Sequence, residues 1–347
     1  MWDLGEKQMN LNMQMSSFDK NSKKRKKRLF QISIVLLAML GVVYQQLGIY
    51  YDASHLGRMG RLVDVNGVNM HLYEAGNSDI PIVFAANIGS NVPYVETYLL
   101  HSNLSSKYHT LVYDKPGYGW SDITSAPRDI DTICDEIHTL VHSDEIPDDE
   151  DTYLKPFVFV AYGMGSLEAL RYAQLYPEDI AGVVLIEGAS PQFCKEFNNI
   201  MIVEAYITNG LRNLGLLRAM GETSVVNNTL NSHTSYPKNL QLLTKGIGLE
   251  KTWNRNMIAE KHNVQKNGEA VLSGGDLGDI PLRIITSKAN TYSTWSATQK
   301  SMLSLSTDSK QIYIEHSTSY IEASDAPTIL QVIEELTQHI QELKDDE

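Results

Sequence analysis

Apolar positions follow three patterns along this chain. From Leu29 to Tyr51 they are almost unbroken, LFQISIVLLAMLGVVYQQLGIYY, with no charge in 23 residues. From about residue 60 they come in short runs divided by turn formers. Leu62–Val65 and Val68–Tyr73 alternate around Asn66-Gly67, which predicts a β-hairpin. Ile80–Phe84, Thr110–Tyr113, Phe157–Val160, Ile180–Ile186, Pro281–Thr286 and Gln311–Glu315 predict further strands. Between them, Asp129–His142 and the stretch from Ser166 to Tyr176 carry helical spacing. So does the last helix, with Ile329, Val332, Ile333, Leu336 and Ile340 on one face. Residues 191–275 read as mainly helical, with breaks at Gly210, Gly221 and Pro237. Short strands alternating with helices predict an α/β domain over residues 56–345, its mostly parallel sheet covered on both faces. The helical stretch 191–275 is a cap over one end of that sheet.

The unbroken run is long enough for one membrane-spanning helix, which needs about 20 apolar residues. Lys23-Lys24-Arg25-Lys26-Lys27-Arg28 abuts it, and Tyr44, Tyr50 and Tyr51 stand near its far end. A cleaved signal peptide would have a shorter apolar core and a small-residue cleavage site, and Asp52-Ala53-Ser54-His55 is a poor one. A buried core helix and a basic nuclear-import or nucleic-acid patch are the other readings. The expectation is a signal anchor of a single-pass plasma-membrane protein. Residues 1–28 form the cytoplasmic tail, 29–51 the transmembrane helix, and the main domain is extracytoplasmic. Residues 1–19, polar and Met-rich, show no clear period. The expected partners are membrane lipid, through the basic cluster and this helix, and a small-molecule or protein ligand.

Charge sharpens the division. The chain of 347 residues has a net charge of −13. Residues 1–28 hold eight Lys/Arg against three Asp/Glu; the rest holds 21 against 39. An acidic main domain excludes a general nucleic-acid binder. Two cysteines, Cys134 and Cys194, exclude a disulfide framework and a Cys-rich zinc module.

Several motifs in order resemble the α/β-hydrolase superfamily, and more narrowly bacterial membrane-anchored proteins of the esterase and proline-iminopeptidase type. Leu62-Val63-Asp64-Val65-Asn66-Gly67 with His71-Leu72-Tyr73 resembles the opening hairpin. Tyr113-Asp114-Lys115-Pro116-Gly117-Tyr118-Gly119-Trp120-Ser121-Asp122 resembles the loop after it. Phe159-Val160-Ala161-Tyr162-Gly163-Met164-Gly165-Ser166 stands where that family carries its nucleophile. Tyr176-Pro177-Glu178, Leu277-Gly278-Asp279-Ile280-Pro281-Leu282 and Ser319-Tyr320-Ile321 continue the likeness.

Acyl transfer on such a fold needs a Ser on a strained strand-to-helix turn, a His base, a carboxylate and two backbone N–H groups for the oxyanion. The resemblance puts Gly163 at the nucleophile, Ser319 at the base and Asn290 at the acid, so none of the three side chains fits its role. Ala161 and Gly165 keep the small flanks of the turn. The oxyanion donors would come from Met164 and from the loop Asn87-Ile88-Gly89. Glu187, at a strand end, reads as a solvated or capped acid, or as a second place for the acid. His316, three residues before Ser319, reads as exposed or structural. The pocket candidates are therefore Asn87, Ile88, Met164, Glu187 and His316, with no catalytic residue, cofactor or metal expected.

Other reactive side chains have plainer readings. Ser166 is expected to cap its helix, Ser90 has no base to pair with, and Cys134 lies on an apolar face. His138 and His142, at i and i+4, match the histidine spacing of H-E-x-x-H but lack its Glu, and are expected to be exposed. Asn103-Leu104-Ser105 and Asn227-Asn228-Thr229 fit the glycosylation acceptor pattern. The function expected is that of a non-catalytic ligand-binding or interaction protein. The alternative is an active ester- or amide-bond hydrolase whose nucleophile and base have moved to Ser166, Ser90 or His316 with Glu187.

Overall fold

The computed structural model describes residues 2–143, 156–197, 202–230, 236–290, 294–315 and 324–345, with side chains from Lys23 onward. A single long helix, α1 (Trp2–His55), precedes the domain. It includes residues 2–19, for which the sequence offered no period. Its most apolar 18-residue window has a mean hydropathy of 2.0 and is only 6% buried, which excludes a core helix.

The hairpin forms as expected, with β1 (Arg61–Val65) antiparallel to β2 (Val68–Ala75). Then come β3 (Ile82–Ala85), α2 (Pro93–Glu96), α3 (Tyr98–Leu104) and β4 (Thr110–Asp114). Next are α4 (Ile130–Val141), β5 (Phe157–Tyr162), α5 (Ser166–Leu175) and β6 (Ile180–Ile186). The eight strands order as β1-β2-β4-β3-β5-β6-β7-β8, antiparallel at β1, β2 and β4 and parallel from β4 onward. Here β7 is Leu282–Ser287 and β8 is Ser309–Ile314.

Strand β3 starts two residues later than Ile80 because Pro81 has no N–H to give the ladder; its carbonyl still accepts from Val158 N–H at 2.8 Å. Pro281 delays β7 in the same way. Along β5 and β6 the side chains alternate between two fully buried faces, so both strands read as continuous apolar runs. One face packs with Ile133, Ile137 and Leu170 of α4 and α5. The other packs with Leu100 of α3 and with Ile329, Ile333 and Leu336 of the last helix. Asp129 caps α4, its carboxylate accepting from Thr132 N–H at 3.1 Å.

The cap consists of α6 (Pro191–Lys195), α7 (Ile202–Asn213), α8 (Leu216–Ala219), α9 (Ser224–Thr229), α10 (Lys238–Lys251) and α11 (Arg255–Ser273). Gly210 does not break it; it lies inside α7. The break falls at Gly215, whose φ of +67° is left-handed and whose missing Cβ would stand 2.6 Å from the Gly41 carbonyl of α1. α12 (Trp295–Ser301) and α13 (Ala326–Asp345) complete the chain. Helix α1 packs on α7, α8 and α10. Buried Gln45 donates to the Leu249 carbonyl at 2.6 Å, and Arg218 pairs with Asp52 at 2.7 Å.

Beneath the cap lies a buried ionic cluster. Lys115 Nζ bonds both Glu168 and Glu260, at 2.6 Å to the latter. Tyr113 donates to Glu168 at 2.7 Å and Tyr118 to Glu260 at 2.8 Å. Burial raises the Glu168 carboxyl against the pull of Lys115, and the Glu260 charge adds to the rise. Burial opposes charge on Lys115, but the two carboxylates overcome it and raise its pKa. Tyr118 also accepts from Gly89 N–H at 3.3 Å, so the cluster reaches the loop after β3.

Candidate functional site

At the carboxyl ends of β3, β5, β6 and β7, under the cap, lies a cavity of about 390 Å³. That is where ligands enter open α/β sheets. Its walls include Asn87, Ile88, Met164, Glu187 and Asn290, with Phe193, Trp253, Lys261 and Trp295 from the cap side. Four of the five pocket candidates, and the Asn290 position, therefore meet in one place. His316 and Ser319 lie outside the described residues, and among the described residues no histidine lines the cavity.

The turn after β5 has the backbone of a nucleophile elbow. Gly163 takes φ +54°, then Gly163–Gly165 form one 3₁₀ turn leading into α5. The flank must be small: a Cβ on Gly165 would stand 2.7 Å from the Ala86 carbonyl. What fills the centre is Asn87. A Cβ on Gly163 would stand 2.5 Å from both Cγ and Oδ1 of Asn87. Asn87 Oδ1 accepts from Ile88 N–H at 2.8 Å and from Met164 N–H at 2.9 Å. These are the two backbone donors that the fold aims at an oxyanion. The chain's own amide oxygen occupies them.

Glu187 is half-buried, a carboxylate capped by two hydrogen bonds. It holds a left-handed φ of +47° at the end of β6 and sits in the cavity wall. One carboxylate oxygen accepts from Ser287 N–H and the other from Asn290 Nδ2 at 3.0 Å. The two places the fold can hold an acid are thus in contact, and only Glu187 is acidic. Burial raises its carboxyl; bonds from Asn290, Ser287 and Trp295 oppose the rise. The charged form is therefore costlier folded than unfolded. This group's contribution is most favourable below its unfolded pKa, and is lost as pH rises through the higher folded pKa. We expect Glu187→Gln to gain in urea midpoint relative to wild type between pH 4 and pH 7. A difference that stays flat over that range would contradict the burial argument.

Lys261 Nζ stands 4.3 Å from the Trp253 ring centroid, and burial lowers its pKa while Glu204 opposes the fall. Sequence reasoning missed Lys261, Trp253, Phe193 and Trp295. Phe193, Trp253 and Lys261 stand in the cap and Trp295 opens α12 after β7, and nothing in their spacing separates them from surface residues.

The alternative nucleophiles are out of reach. Ser166 does not cap α5; its hydroxyl is fully buried, 2.7 Å from the Ala189 carbonyl and 2.8 Å from the Gly163 carbonyl. Ser90 is 1% exposed and absent from the cavity wall. Cys134 and Cys194 are buried free thiols. His138 and His142 are half-buried rather than exposed, and both contact Asp179.

The family model described as alpha/beta hydrolase fold matches residues 81–208. The uncharacterized protein YbdG of Bacillus subtilis is 29% identical over 46% of this chain and 47% of its own. Epoxide hydrolase A of Mycobacterium tuberculosis is 29% identical over 36% of this chain and 37% of its own. The chain thus spans under half the length of these curated relatives. Among solved structures, the enol-lactonase of Burkholderia xenovorans superposes with a TM-score of 0.58 at 14% identity, covering 80% of this chain and 99% of that one. The epoxide hydrolase of Bacillus megaterium gives 0.59 at 15% identity, over 80% and 100%. The fold is the α/β-hydrolase fold, preceded by one apolar helix long enough to cross a membrane.

Proposed function

We propose that this chain is a membrane-tethered α/β-hydrolase-fold protein that binds a small molecule beneath its cap and performs no acyl chemistry. One observation carries the reading: Asn87 Oδ1 bonds both Ile88 N–H and Met164 N–H, against a Gly163 that offers no attacking atom. Three of the similar proteins named above are an enol-lactonase and two epoxide hydrolases, whereas acyl chemistry on such a fold needs an attacking side chain that Gly163 lacks. The cavity favours a small, partly aromatic or aliphatic ligand, with a hydrogen-bond donor or amine toward Glu187 and an acceptor toward Lys261. The tether is supported by the charge-free run Leu29–Tyr51 beside the basic cluster and by the exposure of its helix. In that arrangement residues 1–28 are cytoplasmic and the domain lies on the far side of the plasma membrane, its cap resting against the outer half of the span at Gly41 and Gln45.

Relocated catalysis is disfavoured by the buried, backbone-bonded Ser166 and the buried Ser90. Membranes holding the full chain, washed with alkaline carbonate and treated with a fluorophosphonate probe, test both parts. The chain is expected in the pellet and unlabelled. A label mapping to any of its serines would overturn the non-catalytic reading, and release into the supernatant would overturn the tether.

A further inference from the structure

A second polar cluster lies far from the cavity. His138 Nδ1, His142 Nε2 and the Tyr172 hydroxyl converge on one oxygen, Asp179 Oδ2, at 3.1, 2.9 and 2.7 Å. His138 Nδ1 is also 3.2 Å from the Tyr172 hydroxyl. Three polar atoms crowd one carboxylate oxygen that has two lone pairs. Neutral imidazoles also bring lone pairs of their own. We propose that His138, His142 and Asp179 hold one Zn²⁺ ion.

The geometry suits the ion. The three ligand atoms lie within 4.8 Å of one another, and both nitrogens are near 3 Å from the oxygen. A tetrahedral site with bonds of about 2.0–2.1 Å needs ligand separations of about 3.3 Å. Two imidazoles and one carboxylate, with one position left to water, suit zinc better than a hard cation such as Ca²⁺. His138 in the last turn of α4 and His142, the residue that caps its carboxyl end, face the same side, and Asp179 meets them from the short turn between α5 and β6.

The surroundings hold the ligands in place. The Tyr176 ring stacks on His138 at 3.9 Å with planes 2° apart, and its hydroxyl donates to Asp135 at 2.7 Å. Tyr172 supplies the outer hydrogen bond that metal-bound carboxylates commonly receive. The His138 and His142 side chains are 35% and 23% exposed, so an ion can enter from solvent. Asp179 precedes β6 and Glu187 follows it. At about 3.3 Å per residue the two stand about 26 Å apart. The ion would clamp α4 to the entry of β6, a structural role independent of the ligand cavity.

The test uses the full chain in detergent, stripped with a chelator, loaded with Zn²⁺ alone and dialysed. One zinc per chain is expected by elemental analysis, with two imidazoles in the zinc X-ray absorption spectrum. His138→Gln and His142→Gln should each lose the ion, and Tyr172→Phe should weaken binding about 10- to 100-fold. Wild type without zinc, or a zinc-loaded spectrum without imidazole, would overturn the site. So would a folded His138→Gln/His142→Gln variant that still holds one ion. If that variant does not fold, the wild-type spectrum decides.

Discussion

Replacing Lys115 by methionine is expected to cost the fold about 3–5 kcal/mol, because it leaves two carboxylates buried without their cation. Lys115 is 2% exposed, and Glu168 and Glu260 are 2% and 6% exposed. No rearrangement of the long Glu260 side chain alone restores water to Glu168, which also holds the Tyr113 hydroxyl. At about 2–4 °C per kcal/mol for a domain of this order, melting falls by roughly 10 °C. The deficit carries a pH signature. In the variant Glu168 loses the pull of Lys115 that opposed its burial, so its carboxyl titrates higher folded than unfolded and the penalty is full at pH 7.5. It shrinks as pH falls through that raised folded pKa toward the unfolded value of about 4.3. Thermal unfolding at pH 7.5 and pH 5 checks this. A loss under about 1 kcal/mol, or one equal at both pH values, would show that the cluster is not an interdependent ionic unit.

The second large effect is at the elbow. Gly163→Ser is expected to destabilise by about 2–4 kcal/mol, from a left-handed backbone that now carries a Cβ and from crowding against Asn87. Asn87→Gly in the same chain removes the crowding and leaves only the backbone cost of about 1–2 kcal/mol. Urea unfolding of both single variants and the double variant gives the coupling directly, expected at about 1–3 kcal/mol. Additive losses would mean that the amide does not occupy the space a side chain at 163 needs. The double variant frees both N–H donors, yet among the described residues no imidazole lines the cavity to activate the new hydroxyl. Ester hydrolysis is therefore expected to stay near background.

Much of the framework was legible in the chain. Runs such as Val158–Val160 and Val183–Ile186 can only be strands buried on both faces, and Asn66-Gly67 marked its hairpin without tertiary help. The short helices α2 and α3 were missed, because two buried leucines, Leu100 and Leu104, are too brief a period to separate from a loop. Gly210 was misread as a break because a glycine inside a helix costs only about 1 kcal/mol against alanine, which packing overrides. At the site, the empty centre of the elbow was visible in Gly163 itself, and the resemblance brought Asn87, Ile88, Met164 and Glu187 to one region. That Asn87 fills the anion hole was not visible. It depends on a hydrogen bond between residues 77 positions apart. Glu260 and Lys261 make the same point. They are neighbours in sequence, but the helix turns one into the ionic cluster and the other toward the cavity, and no local pattern announces which.

The seam between α1 and the cap has a mechanical consequence. The helices above the sheet are held from below by the sheet and its flanking helices. Here three of them also grip the leading helix, through Gln45, Asp52 and the close approach at Gly41. Any widening of the mouth must pull that helix along or break the Arg218 bridge. The leading helix thereby becomes a lever on the entrance, and whatever displaces it displaces the roof of the interior with it.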